Sequence, residues 1–177
     1  MKKLLLLLPA VALAVLMVGC DGSHGSGGDG GDSTHVDSTA MDTAKPAHDY
    51  ANAVITLRRT PCFGRCPDYS LEVLGNGTVN YEGFNFVKVK GKQTSQVAAK
   101  DVKDLVDAFF AIDYFALPDT FTSNIEDVAS KTTSISVDGK RKSIFENDGA
   151  PQSLRDLEDK IDKVANSAQW VSMPEEK

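Results

Sequence analysis

Residues 69–83, YSLEVLGNGTVNYEG, alternate apolar and polar side chains on both sides of a glycine-rich break. Tyr69, Leu71 and Val73 fall on one face and Ser70 and Glu72 on the other, the period of two expected of a half-buried strand. Gly75, Asn76 and Gly77 then mark a turn, because Asn-Gly accepts the positive φ that tight hairpins demand. Val79 and Tyr81 resume the alternation, so the stretch predicts an antiparallel hairpin. Upstream, AVITLRR (53–59) repeats the pattern with Ile55 and Leu57, and a fourth extended segment is expected within 86–98. Downstream, Val102, Leu105, Val106, Phe109 and Phe110 recur at helical spacing and form one apolar stripe, which Pro118 closes off. TTSISVDGKRKSIFEN (132–147) predicts a second hairpin across Asp138 and Gly139. Pro151 suits a first helical position, and Leu154, Leu157, Ile161, Val164, Ala165 and Ala168 carry a last stripe toward Trp170. The class is α+β: an antiparallel sheet of about six strands in the order ββββ-α-ββ-α, with two helices packed on one face.

The connection between the first two strands is TPCFGRCPDY (60–69), with Cys62 and Cys66 between Pro61 and Pro67. Gly64 can take positive φ and let the loop fold back, and the prolines stiffen its flanks, so a structural disulfide is expected in an oxidising compartment. CFGRCP also resembles the C-x-x-x-C-P motif of the Sco-like membrane-tethered copper chaperones. That resemblance implies a thiol-redox or copper site at Cys62 and Cys66, as the alternative to a staple. The Sco-like pattern adds a histidine far downstream, whereas the last histidine here is His48, and these cysteines precede a strand rather than a helix. At the loop tip, Phe63 and Arg65 form a candidate binding pair if exposed; the other reading tucks Phe63 into the core. VKVKGK (87–92), the one local basic cluster, looks like the solvated face of a strand, with a binding patch as its alternative.

The amino terminus reads differently. Lys2 and Lys3 precede an apolar run from Leu4 to Val18, then Gly19 and Cys20, the layout of a secretory signal. As a helix the run spans roughly 22 Å, short of the roughly 30 Å hydrocarbon core. LMVGC resembles the bacterial lipobox, with Met17 in place of the usual leucine; the resemblance implies removal of residues 1–19 and acylation of Cys20. Several acyl chains anchor a protein stably where one is marginal. Asp21 resembles the inner-membrane retention signal of enterobacterial lipoproteins. Residues 20–49 hold Gly, Ser, Thr and Asp with little that can pack, which predicts a disordered tether carrying His24, His35 and His48 at irregular spacing. Residues 50–172 form the single domain and 173–177 a tail.

The whole chain has 19 Lys+Arg against 25 Asp+Glu. Losing Lys2 and Lys3 leaves a more acidic mature chain, but from residue 50 onward the charges nearly balance, which argues against nucleic acid and against strong overall attraction to anionic lipid. No histidine follows His48, so a Ser-His or Cys-His pair is absent from the domain, and no G-x-S-x-G or phosphate loop appears. The pairs Glu126–Asp127 and Glu158–Asp159 read as solvated charge. No cofactor and no metal set is expected.

TPCFGRCPDYSLEVLGNGTVNYEG (60–83), followed by a glycine-led strand, a Phe-rich helix, a Gly-Lys hairpin and a helix ending near Trp170, resembles a bacterial domain family of unknown function with the signature P-C-F-G-x-C-P-x-Y. The resemblance runs from residue 50 to about 170 and implies no chemistry; its members commonly look like lipoproteins or secreted proteins. The expectation is a membrane-anchored cell-envelope lipoprotein facing the periplasm or the exterior. Its domain binds or braces an envelope protein or the cell wall without catalysis.

Overall fold

A computed structural model describes residues 47–124 and 127–172. Cys20, His24, His35, Glu126 and residues 173–177 lie outside the described residues, as do the expected signal and most of the tether. A 3₁₀ turn at Tyr50–Asn52 leads into β1 (Val54–Arg59), β2 (Asp68–Leu74), β3 (Thr78–Asn85) and β4 (Gly91–Gln96). Then come α1 (Ala99–Ala111), β5 (Thr120–Phe121), β6 (Lys131–Val137), β7 (Lys140–Glu146), α2 (Gln152–Ala165) and α3 (Ala168–Val171). The strands form one sheet in the order β4-β3-β2-β1-β6-β7-β5, antiparallel throughout except where β5 runs parallel to β7. The α+β class and the order of its main elements are as the periodicity predicts, and the two-residue β5 adds a seventh strand.

One face of the sheet is apolar and buried: Ile55 and Leu57, Leu71 and Val73, Val79 and Tyr81, Ile135 and Val137, and Ile144. Val102, Leu105, Val106 and Phe109 of α1 and Leu154, Leu157 and Ile161 of α2 close onto it in one core. Each such side chain contributes about 1.5–3 kcal/mol when fully buried, which is why the alternating stretches dictate the fold. The opposite face carries Thr56, Arg58, Ser70, Glu72, Asn80, Glu82 and Thr94.

The β2–β3 loop uses its glycines for two separate reasons. Gly77 takes φ +87° and its N–H returns to the Leu74 carbonyl at 2.8 Å, a type I turn closed by a left-handed residue. Gly75 has ordinary φ, but a Cβ there would sit 2.2 Å from the Tyr50 carbonyl oxygen; close approach of the 3₁₀ turn, not turn conformation, requires it. In the second hairpin Asp138 and Gly139 both adopt positive φ, the type I′ geometry that matches strand twist.

Several expectations change in detail. Residues 86–89 are a bend rather than a strand, although Val87 is buried and Lys88 and Lys90 are exposed as the alternation implies. Pro151 is the N-cap of α2 and not its first residue. The last stripe breaks at Asn166, which adopts the left-handed conformation, so Ala168 begins a separate short helix and is exposed. His48 is docked rather than solvated. Its ring stacks on Phe110 with centroids 3.7 Å apart, its Nδ1 lies 2.7 Å from Asp138 Oδ2, and the next backbone N–H, of Asp49, donates to Asp138 Oδ1.

Candidate functional site

β1 ends in two arginines that face opposite sides of the sheet. Arg58 lies on the polar face, where it pairs with Asp68 at 2.5 Å and covers the Phe84 ring 4.7 Å from its centroid. Arg59 turns under α2 and donates through Nε and Nη2 to Asp162. Asp162 also accepts from the Tyr69 and Ser167 hydroxyls, each at 2.7 Å. Burial, then the neighbouring Asp162 carboxylate, pushes the Tyr69 phenol upward, so it stays a donor.

Next to this network, Lys131 at the start of β6 reaches Glu146 of β7 at 2.5 Å and Glu158 of α2 at 2.7 Å, while Thr133 donates to Glu158. Glu158 has no exposed surface. Its burial contradicts the reading of Glu158–Asp159 as solvated charge: Asp159 stays outside and Glu158 is sealed in. Desolvation raises the Glu158 carboxyl despite its two donors. Burial pushes the Lys131 ammonium down, but the two carboxylates outweigh it and the net direction is upward. Glu158 and Glu146 are buried and bonded to Lys131, itself one-fifth exposed, so the group holds α2 on the sheet.

The loop that continues from Arg59 is built the opposite way. Cys62 and Cys66 are joined as a disulfide, with Cα atoms 5.5 Å apart. Gly64 reaches this arrangement without positive φ, contrary to the role expected of it, and its N–H donates to Cys62 Sγ at 3.3 Å. The loop is laced to the segment 127–130 that leads into β6: Thr60 N–H to the Ser130 carbonyl at 2.9 Å, Thr60 Oγ1 to Ser130 Oγ at 2.7 Å, and Phe63 N–H to the Asp127 carbonyl at 3.1 Å. From this fixed backbone Phe63 projects with 88 % of its surface exposed, which overturns the reading that tucks it into the core. Arg65 is exposed on the same loop.

The two ends of the sheet are thereby distinct. The disulfide loop sits at the Arg59 end of β1, whereas His48 sits with Asp138 beyond the Val54 end, where Val54 pairs with Ser136. His48 therefore does not meet the cysteines, and among the described residues no three His, Cys, Asp or Glu side chains converge to hold a metal ion. A groove of about 620 Å³ runs between α1 and α2 and is lined by Asp101, Asp104, Asp156, Asp159, Lys160 and Lys163. It mixes charges of both signs on solvated helix faces and brings no nucleophile beside a base.

The Cys62–Cys66 disulfide was legible in the sequence; the exposure of Phe63 was one of two readings, and the sealed Glu158 group was not read at all. The signal for it was present, since Glu158 lies four residues after Leu154 and three before Ile161, inside the apolar stripe.

The family described as a domain of unknown function, DUF6438, matches residues 53–165. The match covers more than half of the chain, which belongs to that family. No curated protein matches it.

Proposed function

With a family that carries no described activity as premise, we propose that this chain is a lipid-anchored cell-envelope protein whose domain is a non-catalytic binding module acting through the Cys62–Cys66 loop. The observation that carries the reading is Phe63, 88 % exposed at the tip of a loop braced by a disulfide and by Asp127 and Ser130. A rigidly presented aromatic beside an arginine loses little entropy on binding, which makes such pairs frequent anchors at protein interfaces. The partner is an envelope protein or a cell-wall component. Anchoring rests on LMVGC, which resembles a lipobox and assigns acylation to Cys20; the mature protein then faces the periplasm or the cell exterior.

Two measurements test this. Mass spectrometry of the mature amino terminus should find an acylated Cys20; an unmodified terminus removes the anchor. Cross-linking in intact cells, comparing wild type with Phe63→Ala and Arg65→Ala, should show a product lost in either variant; identical products from all three remove the loop.

A thiol-redox role for Cys62 and Cys66 is the second reading. It is supported by the Gly64 N–H on Cys62 Sγ, which would favour a thiolate once the bond opened. Trapping thiols by alkylation in living cells separates the two: a fully oxidised pair opposes the redox reading, and a mixed population opposes the staple.

A further inference from the structure

Residues 84–90, FNFVKVK, cross the end of the sheet that carries the disulfide loop, since Asn85 pairs with Asp68 where β2 begins. Two inward residues fix the segment. Val87 is buried in the core, and Val89 donates its N–H to the Trp170 carbonyl at 2.9 Å while its own carbonyl accepts from the Tyr81 hydroxyl at 2.9 Å. The residues that alternate with them are exposed: Phe84 at 37 %, one side of its ring covered by Arg58, Phe86 at 39 %, and Lys88 and Lys90.

Three features of this row go beyond what a solvated bend requires. Two phenyl rings in succession remain at the surface although the core lies one residue away. Phe86 holds φ +52°, a conformation that bulky side chains rarely adopt and that persists only where the surroundings impose it. Neither Lys88 nor Lys90 has a carboxylate within ion-pair distance among the described residues, whereas Lys100, Lys103, Lys131 and Lys142 each do. Rings followed by uncompensated ammonium groups on one side of a short segment is the arrangement suited to a lipid interface: the rings lie at the acyl boundary and the lysines extend to the phosphates.

We propose that the outward row Phe84, Phe86, Lys88 and Lys90 is a second membrane contact, whose partner is the anionic phospholipid headgroup surface. The inference rests on the lipid-anchor reading for its proximity to a bilayer, where a contact too weak to recruit a free protein still forms. Charge complementarity decides between lipid and an apolar protein groove, since the lysines would be left buried and unpaired in the latter.

The test places the photoreactive analogue benzoylphenylalanine at Phe86, or at Lys140 beside the Asp138 turn, in the full chain mixed with vesicles. Vesicles of phosphatidylcholine alone are compared with vesicles that also contain phosphatidylglycerol. Lipid adducts at position 86 should exceed those at position 140 by about fivefold with phosphatidylglycerol, and should fall by about fivefold for each lysine removed in Lys88→Gln and Lys90→Gln. Added salt should reduce them in the unaltered background, which reads the electrostatic part without risk to the fold. Equal yields at the two positions, or yields indifferent to phosphatidylglycerol and to salt, overturn the proposal. Flotation of the chain with the vesicles reports anchoring separately, and the ratio between the two positions reads the row whether or not the chain floats.

Discussion

At one end of the sheet, two groups of polar and aromatic side chains are handled in opposite ways. Beneath α2, Arg59, Lys131, Glu158 and Asp162 are closed in, and every charge meets a partner across strands and helix. On the loops outside, Phe63, Phe86, Lys88 and Lys90 are exposed on backbone that is itself bonded to the domain. Reactive residue types do not by themselves mark a site. A carboxylate with a raised titration point is structure when its neighbours use all its lone pairs, and a phenyl ring is a candidate contact when a rigid loop keeps it out of an available core.

The contrast breaks most readily at Glu158. Glu158→Ala strips one partner from a buried ion pair and should destabilise the domain by about 3 kcal/mol, read from denaturant unfolding with an unchanged slope. The same residue sets a pH dependence. Because burial raises its folded-state value above the ordinary 4.5, its favourable contribution is full below the unfolded value and declines as pH rises through the folded one. Glu158→Gln should flatten that decline. A stability profile unchanged by the substitution would place Glu158 among the solvated acids after all.

The disulfide comes next. On the chain-entropy model a loop this short contributes about 2 kcal/mol, so Cys62→Ser with Cys66→Ser should lower stability by about that amount while the core hairpins persist. A larger loss, or unfolding, would make the outer loop part of the framework and erase the distinction drawn here.

At the far end, His48→Ala removes the stack on Phe110, an aromatic contact worth about 0.5–1.5 kcal/mol, and should speed proteolysis between residues 46 and 50. The Asp49 backbone N–H, then the His48 ring, holds the Asp138 carboxyl below its ordinary 3.8. Its contribution is therefore present above that ordinary value and lost as pH falls through the lowered one, the opposite sign to Glu158. Cleavage at an unchanged rate would show that His48 does not tie the chain down.

The smallest expected effect is the most telling. Phe63→Ala should leave stability within about 0.5 kcal/mol, the range for a surface change, while abolishing the cross-link to a partner. A drop of several degrees in melting temperature would return Phe63 to the core.

Much of the architecture was legible because its determinants are periodic. Ile55, Leu57, Leu71, Val73, Val79 and Tyr81 fixed one face of three strands, and Asp138–Gly139 fixed a hairpin by turn chemistry alone. What escaped the reading depends on groups far apart in sequence. Thr120 and Phe121 join the sheet only because β7 offers a backbone edge. Glu158 is buried only because Lys131 and Thr133 stand opposite it. Asn166 stops α2 by adopting a conformation that no neighbouring glycine announced. The alternation of VKVK was real, but backbone bonds to Trp170 and Tyr81 turned a strand pattern into a bend.

The four-residue separation of Cys62 and Cys66 also bears on how the protein is made. Such a pair finds itself by local chain motion while the rest of the polypeptide is still emerging, and it asks nothing of the hairpins that later surround it. With three cysteines in the whole sequence, Cys20 is the one competitor, and the acylation proposed for it would withdraw it. On that proposal biogenesis calls for an oxidant but not for an isomerase.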